Sequence, residues 1–177
     1  MKYEALLRAV NVGGRNPVKM GPLKECLERQ GFESVATYIQ SGNVMFESDK
    51  KGAATLAGLI ERTLSATFGF EIPIVLRSSA QLRTVVEGAP ASWKRRNDLR
   101  RNVAFLRPSL KATQALKDVE VKEGVDVVTP GKGVLYMSTV ISAVGSSRLT
   151  KLVTKKIYGE MTIRSFTTCE KILGLMD

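Results

Sequence analysis

The order of strand-like and helix-like segments predicts a mixed α+β fold that contains one arrangement twice. Residues 2–78 read as strand, helix, strand, strand, helix and strand, and residues 102–164 repeat that order. The segments that close the two halves are also alike: VLRSSAQLRTVVEG at 75–88 and TIRSFTTCEKILGL at 162–175. Two tandem β-α-β-β-α-β units, produced by an internal duplication and each followed by an extra helix, account for these observations. This order is the ferredoxin-like arrangement.

Local signals place the elements of the first half. Pro22 and Gly31 bracket a helix at 21–30, because proline is favoured in a first turn and glycine after a last one. Apolar residues three and four apart, with Asp49 as N-cap, predict a second helix that ends at Gly69. The remaining predicted elements are strands at 2–10, 33–40, 43–48 and 72–78, a turn at Ser41-Gly42, and a further helix at 79–87.

The second half is predicted by the same signals. β-rich runs, with a turn at Pro130-Gly131, predict strands at 102–107, 124–129, 133–139 and 161–164. Apolar periodicity predicts helices at 110–118, 148–157 and 167–175. The chain therefore divides into an N-terminal half at 1–88, a basic linker at 89–101 and a C-terminal half at 102–177, which we expect to pack as one compact body.

The predicted sheet of the first half does not suit the usual RNA-binding use of this topology. RNA-recognition motifs stack bases on aromatic side chains of their two central strands. Here the third strand, GNVMFES, offers only Phe46 and lacks the basic-Gly-aromatic signature. Both faces of the strands carry apolar residues, so we expect the sheet to be covered on both sides rather than open to RNA.

Composition favours anionic partners and excludes several kinds of chemistry. Lys and Arg number 27 against 17 Asp and Glu, which gives a net charge of +10. Such an excess attracts nucleic acid, phosphorylated metabolites or acidic surfaces. The chain has no histidine, so it has no Ser-His-Asp or Cys-His site and no His metal site. Two cysteines do not make a zinc site, and Cys26 and Cys169 fall on apolar helix faces.

No cofactor or metal is therefore expected. The start, MKYEALLRAVNV, lacks the shape of a signal peptide, and no apolar run is long enough to span a membrane. We expect a cytoplasmic protein without a membrane partner.

A long polar loop at 11–19 is the first candidate binding site. It is neither a dinucleotide-binding fingerprint nor a Walker loop, and a simple turn built on glycines is the plainer explanation. Its nine residues exceed what a strand-to-helix connection needs, which favours a function. In a ferredoxin-like sheet the hairpin after the second strand lies at the same edge. The predicted principal site is therefore Asn11, Gly13, Gly14, Arg15, Gln40, Ser41 and Asn43.

Two further groups of residues are candidates for holding anions. GSSRLTK at 145–151 is predicted to start a helix, and the same topology would bring Ser147 and Arg148 beside Arg164 and Ser165; ordinary helix capping is the alternative. WKRRNDLRRN at 93–102 is the strongest cluster of charge. Trp93 could stack on bases there, unless the segment is only a solvated linker. The predicted phosphate contacts are Lys94, Arg95, Arg96, Arg100 and Arg101.

Four of these stretches together resemble a known family. RAVNVGG, TYIQSGNVMF, SRLT and a polar run before the last helix, in that order, are similar to the bacterial family called domain of unknown function 1697, over nearly the whole chain. The resemblance implies a duplicated ferredoxin-like fold but no established activity, substrate or catalytic residue. The family usually has Gly at Ala9, Lys at Arg148, and Asn-Trp-Asn-Thr where this chain has Ser165, Phe166, Thr167 and Thr168.

The sequence favours a non-enzymatic binder of anionic ligands, nucleic acid first among them. Neither a histidine nor a paired-carboxylate motif is present for acid–base chemistry. The alternative is an enzyme or sensor that acts on a phosphorylated small molecule, since Lys, Tyr, Asp or Glu can also move protons.

Overall fold

The chain is divided between two compact units. A computed structural model describes residues 1–14, 16–49 and 52–177. The N-terminal unit consists of residues 1–82 together with 172–177, and the C-terminal unit of residues 83–171. The last helix of the chain therefore begins in one unit and ends in the other.

The N-terminal unit is built on a four-stranded antiparallel sheet. Its strands are β1 (Lys2–Leu7), β2 (Glu33–Tyr38), β3 (Asn43–Glu47) and β4 (Ile74–Ser78), in the order β2-β3-β1-β4. Helices α1 (Met20–Arg29) and α2 (Ala53–Phe68) connect them. The apolar stripes of both helices pack with one face of the sheet in a single core, because residues three and four apart share a helix face.

The other face of this sheet carries a buried pair of opposite charges. Glu4 on β1 and Arg77 on β4 lie directly opposite each other, and Glu4 is fully buried. Burial lowers the pKa of Arg77, and the negative charge of Glu4 partly offsets that effect. The sheet is therefore buried along both faces of its central strand, as the apolar patterning predicts.

The C-terminal unit contains a second antiparallel sheet with the corresponding strand order. Its strands are β5 (Leu99–Leu106), β6 (Asp126–Gly131), β7 (Val134–Val140) and β8 (Met161–Ser165), in the order β6-β7-β5-β8. The remaining helices are α3 (Ser79–Glu87), α4 (Ser92–Arg95), α5 (Ala112–Asp118) and α6 (Phe166–Met176). Helices α3 and α6 each have residues in both units. The mixed α+β prediction is confirmed, with two four-stranded antiparallel sheets.

The largest error of the sequence prediction is the helix at 148–157. The structure has three 3₁₀ segments instead, at Ile141–Ser146, Leu149–Thr154 and Lys156–Glu160. Hydroxyls explain the difference: Ser146, Thr150 and Thr154 each donate to the carbonyl three residues earlier. Such bonds compete with the α-helical ladder and favour tighter turns.

Three smaller expectations are also wrong. Pro130 and Gly131 end strand β6, and the turn follows them, because β6 is an edge strand and tolerates proline. Gly52 rather than Asp49 precedes α2. The segment 89–101 is not an unstructured linker, since it contains α4 and the first residues of β5.

Close packing fixes a glycine at the hairpin turn, at position 42. Gly42 has φ of 77°, and a Cβ there would lie 2.7 Å from both Leu7 Cβ and Val10 Cγ2. Its carbonyl also accepts a 2.7 Å hydrogen bond from Leu7 N. The backbone of the hairpin thus approaches the end of β1 more closely than any side chain permits.

We expect Gly42→Ala to destabilise the protein more than Gly31→Ala. Gly31 has a similar φ of 82°, and nothing lies within 4 Å of its Cβ position. Alanine there lowers the free energy of unfolding only by the cost of a left-handed backbone conformation, about 1–2 kcal/mol. At Gly42 the steric overlap adds about 2 kcal/mol. Urea denaturation of both variants measures the difference, and equal losses would contradict the close approach.

Candidate functional site

Asn11 ties the loop at 11–19 to the hairpin between β2 and β3. Its Nδ2 donates to Gln40 O at 2.8 Å and to Val18 O at 2.9 Å, and its Oδ1 accepts from Val18 N at 2.8 Å. The loop and the hairpin therefore meet, as the strand order requires. The amide of Asn11 is already used in holding them together.

Asn43 has a structural role in the same hairpin. Its side chain is 0% exposed and donates to Tyr38 O at 2.9 Å and Ser41 Oγ at 3.0 Å. A ligand at the surface of the protein has no access to this amide. Of the predicted principal site, Asn11 and Asn43 thus position the backbone rather than present donors.

The tip of the loop has an unusual backbone and is exposed. Gly13 and Gly14 have φ of 57° and 74°, and both lie at the surface. Ala9, Asn11 and Asn16 also have φ between 50° and 56°, a region that side chains rarely adopt. Asn16 Nδ2 donates to Ala9 O at 3.2 Å, which helps to hold that conformation. Arg15 lies outside the described residues.

Ser147 and Arg148 already hold an anion, the carboxylate of Asp126. Ser147 Oγ donates to Asp126 Oδ1 at 2.6 Å, and Arg148 N donates to Oδ2 at 2.9 Å. Thr139 Oγ1 and Lys122 N donate to the same carboxylate at 2.9 and 3.0 Å. The prediction that Ser147 and Arg148 suit an anion omitted Asp126. The carboxylate of Asp126 already accepts their hydrogen bonds.

Ser147 and Arg148 do not lie beside Arg164 and Ser165. The first pair contacts Asp126 on β6, whereas the second pair belongs to β8, and β7 and β5 lie between these two edge strands. The predicted juxtaposition is wrong because the 3₁₀ segment that follows β7 ends at β6, where Ser147 contacts Asp126. Arg164 is buried and donates to Thr162 Oγ1 and Ile163 O, and Ser165 accepts from Thr168 N at the start of α6.

The aromatic side chain in the basic segment is part of the core. Trp93 is 3% exposed and makes edge contacts with Tyr136 and Phe166, at centroid distances of 5.7 and 5.0 Å. It is therefore not an open platform on the surface, as the stacking hypothesis assumed. Arg101 is also committed, since its Nη1 donates to Trp93 O at 3.0 Å and its guanidinium lies 5.9 Å from the Phe166 ring.

The remaining cations of this segment face solvent. Arg96 forms a two-point ion pair with Asp98. Lys94, Arg95 and Arg100 are exposed and make no ion pair with any residue that the structure describes. All three lie where β5 begins, at one end of the sheet, with Arg100 on the face opposite to α4.

The positive charge of the chain is concentrated in the C-terminal unit. Residues 83–171 contain 17 Lys and Arg against 8 Asp and Glu, whereas the rest of the chain contains 10 against 9. Nearly the whole excess therefore belongs to one of two units of similar size. A solubility role would not require this uneven distribution.

Other kinds of site find little support in the described residues. They hold no group of three or more Cys, Asp or Glu side chains placed to share a metal ion. Within the same ranges, no helix is long and apolar enough to cross a bilayer. Cys26 and Cys169 are buried as free thiols, and burial raises the pKa of Cys26, which makes it less nucleophilic.

Comparison with known proteins gives the chain a family. The two antiparallel sheets with their connecting helices define a mixed α+β protein. The chain belongs to the family described as protein of unknown function DUF1697, whose model matches residues 1–136. The family predicted from the sequence is thereby confirmed, and RAVNVGG and TYIQSGNVMF lie within the match, whereas SRLT and the polar run before the last helix lie beyond it. It is similar to the conserved bacterial protein SP0830 from Streptococcus pneumoniae, with 28% identity and a TM-score of 0.86 over 99% of this chain and 98% of the other. No curated protein matches the sequence.

Asp126 is expected to make stability depend on acid pH. Burial tends to raise the pKa of this carboxyl, but the hydrogen bonds from Ser147, Arg148, Lys122 and Thr139 outweigh it and hold the pKa below the usual 3.8. The unfolded chain therefore takes up the proton first as the pH falls. The stabilisation is complete above about pH 5 and is lost as the pH falls through 3.8 and then through the folded pKa.

Asp126→Asn tests this expectation. An amide turns its NH₂ toward donors, so we expect a loss of about 2 kcal/mol at pH 7 and a weaker decline of stability between pH 5 and 3. Urea denaturation across that range gives both quantities. A variant that keeps the slope of the unchanged protein would show that Asp126 does not carry the acid sensitivity.

Proposed function

We propose that the protein is a non-enzymatic binder of anionic ligands, and that the ligand is nucleic acid held through its phosphates by the C-terminal unit. The observation that carries the proposal is the excess of 17 basic over 8 acidic residues in 83–171, with exposed cations at the start of β5. A protein that neutralises phosphates with Lys and Arg gains affinity by releasing counterions.

The ion pairing of the individual cations supports phosphate binding by the C-terminal unit. Lys151 and Lys155 share the single carboxylate of Glu120, at 3.3 and 2.7 Å, and Arg96 is paired with Asp98. Lys94, Arg95 and Arg100 lack such partners among the described residues, so phosphate contact would displace no internal ion pair. Their backbone is fixed, because α4 is anchored through Trp93 and β5 is a central strand.

Two buried carboxylates, Asp126 and Glu4, fit this non-enzymatic function better than catalysis. Asp126 accepts four hydrogen bonds, and its lowered pKa makes it a weak base. Glu4 is fully buried opposite Arg77 and has no access to a substrate in solution. Two strong candidates for a general base are thus committed to the fold.

One observation favours the alternative, an enzyme or sensor for a phosphorylated small molecule. Left-handed backbone at Ala9, Asn11 and Asn16 lies next to the exposed Gly13 and Gly14, and strained backbone clusters at functional sites. Native-state ligands raise the melting temperature by mass action. A thermal-shift screen with nucleotides and sugar phosphates tests it, and a positive result that is lost in Gly14→Val would favour this alternative.

We also infer that the two sheets descend from one duplicated ferredoxin-like unit. The strand orders β2-β3-β1-β4 and β6-β7-β5-β8 support it, as do Arg77 and Arg164, which occupy equivalent positions and each donate to the carbonyl of the preceding residue. The 3₁₀ segments in place of the second helix are the main departure from that unit. The buried free thiols suit a reducing cytoplasm, where we infer that the protein works.

Replacing Lys94, Arg95 and Arg100 together by Gln tests the phosphate contacts. If each contacts one phosphate, the slope of log K against log salt for a single strand becomes shallower by about 2. The control replaces Lys117, Lys132 and Lys156, three exposed lysines of the same unit, by Gln and removes the same net charge. We expect the control to keep more of the slope than the first variant. Equal slopes in the two variants would contradict a localised site.

A further inference from the structure

A small cleft lies between α4 and one face of the C-terminal sheet. Its volume is about 240 Å³, and its walls include Trp93, Arg96, Val127, Thr129, Tyr136 and Ser138. Pockets for drug-sized ligands run from about 300 to 1,000 Å³, so this cleft suits one smaller flat group. All of these residues belong to the C-terminal unit.

The floor of the cleft combines two aromatic rings that are almost fully buried, Trp93 and Tyr136, with a hydroxyl. Val127 and Ser138 are directly paired across β6 and β7, so their side chains share the face on which Tyr136 also lies. Ser138 is 5% exposed, and its Oγ has no hydrogen-bond partner among the described residues. The hydroxyl lines the cleft, where it can bond a ligand that enters.

The mouth of the cleft is accessible and positively charged. Val127 is 61% exposed at the edge strand, which leaves that side uncovered. Arg96, which is paired with Asp98, lines the cleft, and the exposed Lys94 and Arg95 precede it on α4 and supply the positive charge. A ligand that carries a phosphate outside the cleft would meet these cations.

We propose that this cleft receives one base of a single-stranded nucleic acid while the neighbouring phosphates contact α4. This deepens the proposed function and rests on it. The apolar lining, to which the exposed Val127 and the two aromatic rings contribute, contacts the base, and the hydroxyl of Ser138 bonds its edge. Lys94 and Arg95 hold the backbone; proteins that bind single strands combine contacts to bases with cations along the backbone. A duplex keeps its bases stacked and paired and does not fill the cleft.

Trp93 makes the occupancy of the cleft directly measurable. It is the single tryptophan of the chain, so the intrinsic tryptophan fluorescence arises from the wall of the cleft. The probes are a ten-nucleotide oligothymidylate, an abasic oligonucleotide of the same length, and free thymidine monophosphate, each titrated into the full chain at low salt. We expect the oligothymidylate to quench Trp93 and to bind about tenfold more tightly than the abasic strand, which has the same phosphates but no bases.

Variants at Ser138 distinguish the binding of a base in the cleft from the binding of phosphates by the surface cations. Ser138→Met fills the cleft and is expected to remove the quenching and to lower the affinity for oligothymidylate about tenfold, to that of the abasic strand. Thr113→Met, on the exposed surface of α5, is the matched control and should leave both unchanged. Ser138→Ala, which removes only the hydroxyl, should weaken binding about threefold and serves if the methionine variant does not fold.

The possible results distinguish the two proposals. Equal affinity for the oligothymidylate and the abasic strand, with unchanged fluorescence, would overturn the base-binding cleft but leave phosphate binding intact. Absence of binding by both strands would overturn the proposed function and this inference with it. Quenching by thymidine monophosphate but not by the oligonucleotide would overturn the assignment to a single strand and give the cleft to a free nucleotide.

Discussion

The burial of Trp93 against Tyr136 and Phe166 is the interaction on which the candidate site depends. The three rings meet edge to face, with interplanar angles of 87° and 73°, the geometry that aromatic pairs prefer. Arg101 adds a hydrogen bond to the Trp93 carbonyl. Together these contacts fix the short helix α4 against the sheet. Consequently the cations of α4 are directed outward on a fixed backbone, and a cleft remains between α4 and strands β6 and β7.

The separation of charge between the units gives that site its electrostatic setting. An excess of nine positive charges belongs to residues 83–171, whereas the rest of the chain is nearly neutral. At physiological ionic strength, exposed charges interact over about 8 Å, so only local clusters attract a polyanion strongly. Within the C-terminal unit, Asp98 and Glu120 form ion pairs with some of the cations. The carboxylate of Asp126 accepts hydrogen bonds from its own neighbours. Among the described cations without an ion pair, Lys94, Arg95 and Arg100 are the ones grouped at the start of β5.

The sequence predicted most of the fold because periodicity records local geometry. Helix 79–87 matches its predicted bounds, since its apolar residues are spaced for one face. The helix at 148–157 failed because hydroxyl-to-carbonyl bonds favour 3₁₀ turns, which periodicity does not reveal. The site was predicted less well: burial of Trp93 and the convergence of Ser147 on Asp126 depend on contacts distant in the sequence. The sequence did contain an indication that Asp126 is buried. Residues two apart on a strand share a face, which places Asp126 on the same face as the apolar Val128.

The central claim is that phosphates of a nucleic acid contact the exposed cations of α4 and of the first residues of β5. Protection of individual lysines from acetylation, measured by mass spectrometry with and without a single-stranded oligonucleotide, tests it most directly. The account predicts that the amine of Lys94 becomes protected while Lys117 and Lys132, exposed in the same unit, react at unchanged rates. Uniform protection of all three, or reaction of Lys94 at its free rate in the saturated complex, would contradict it.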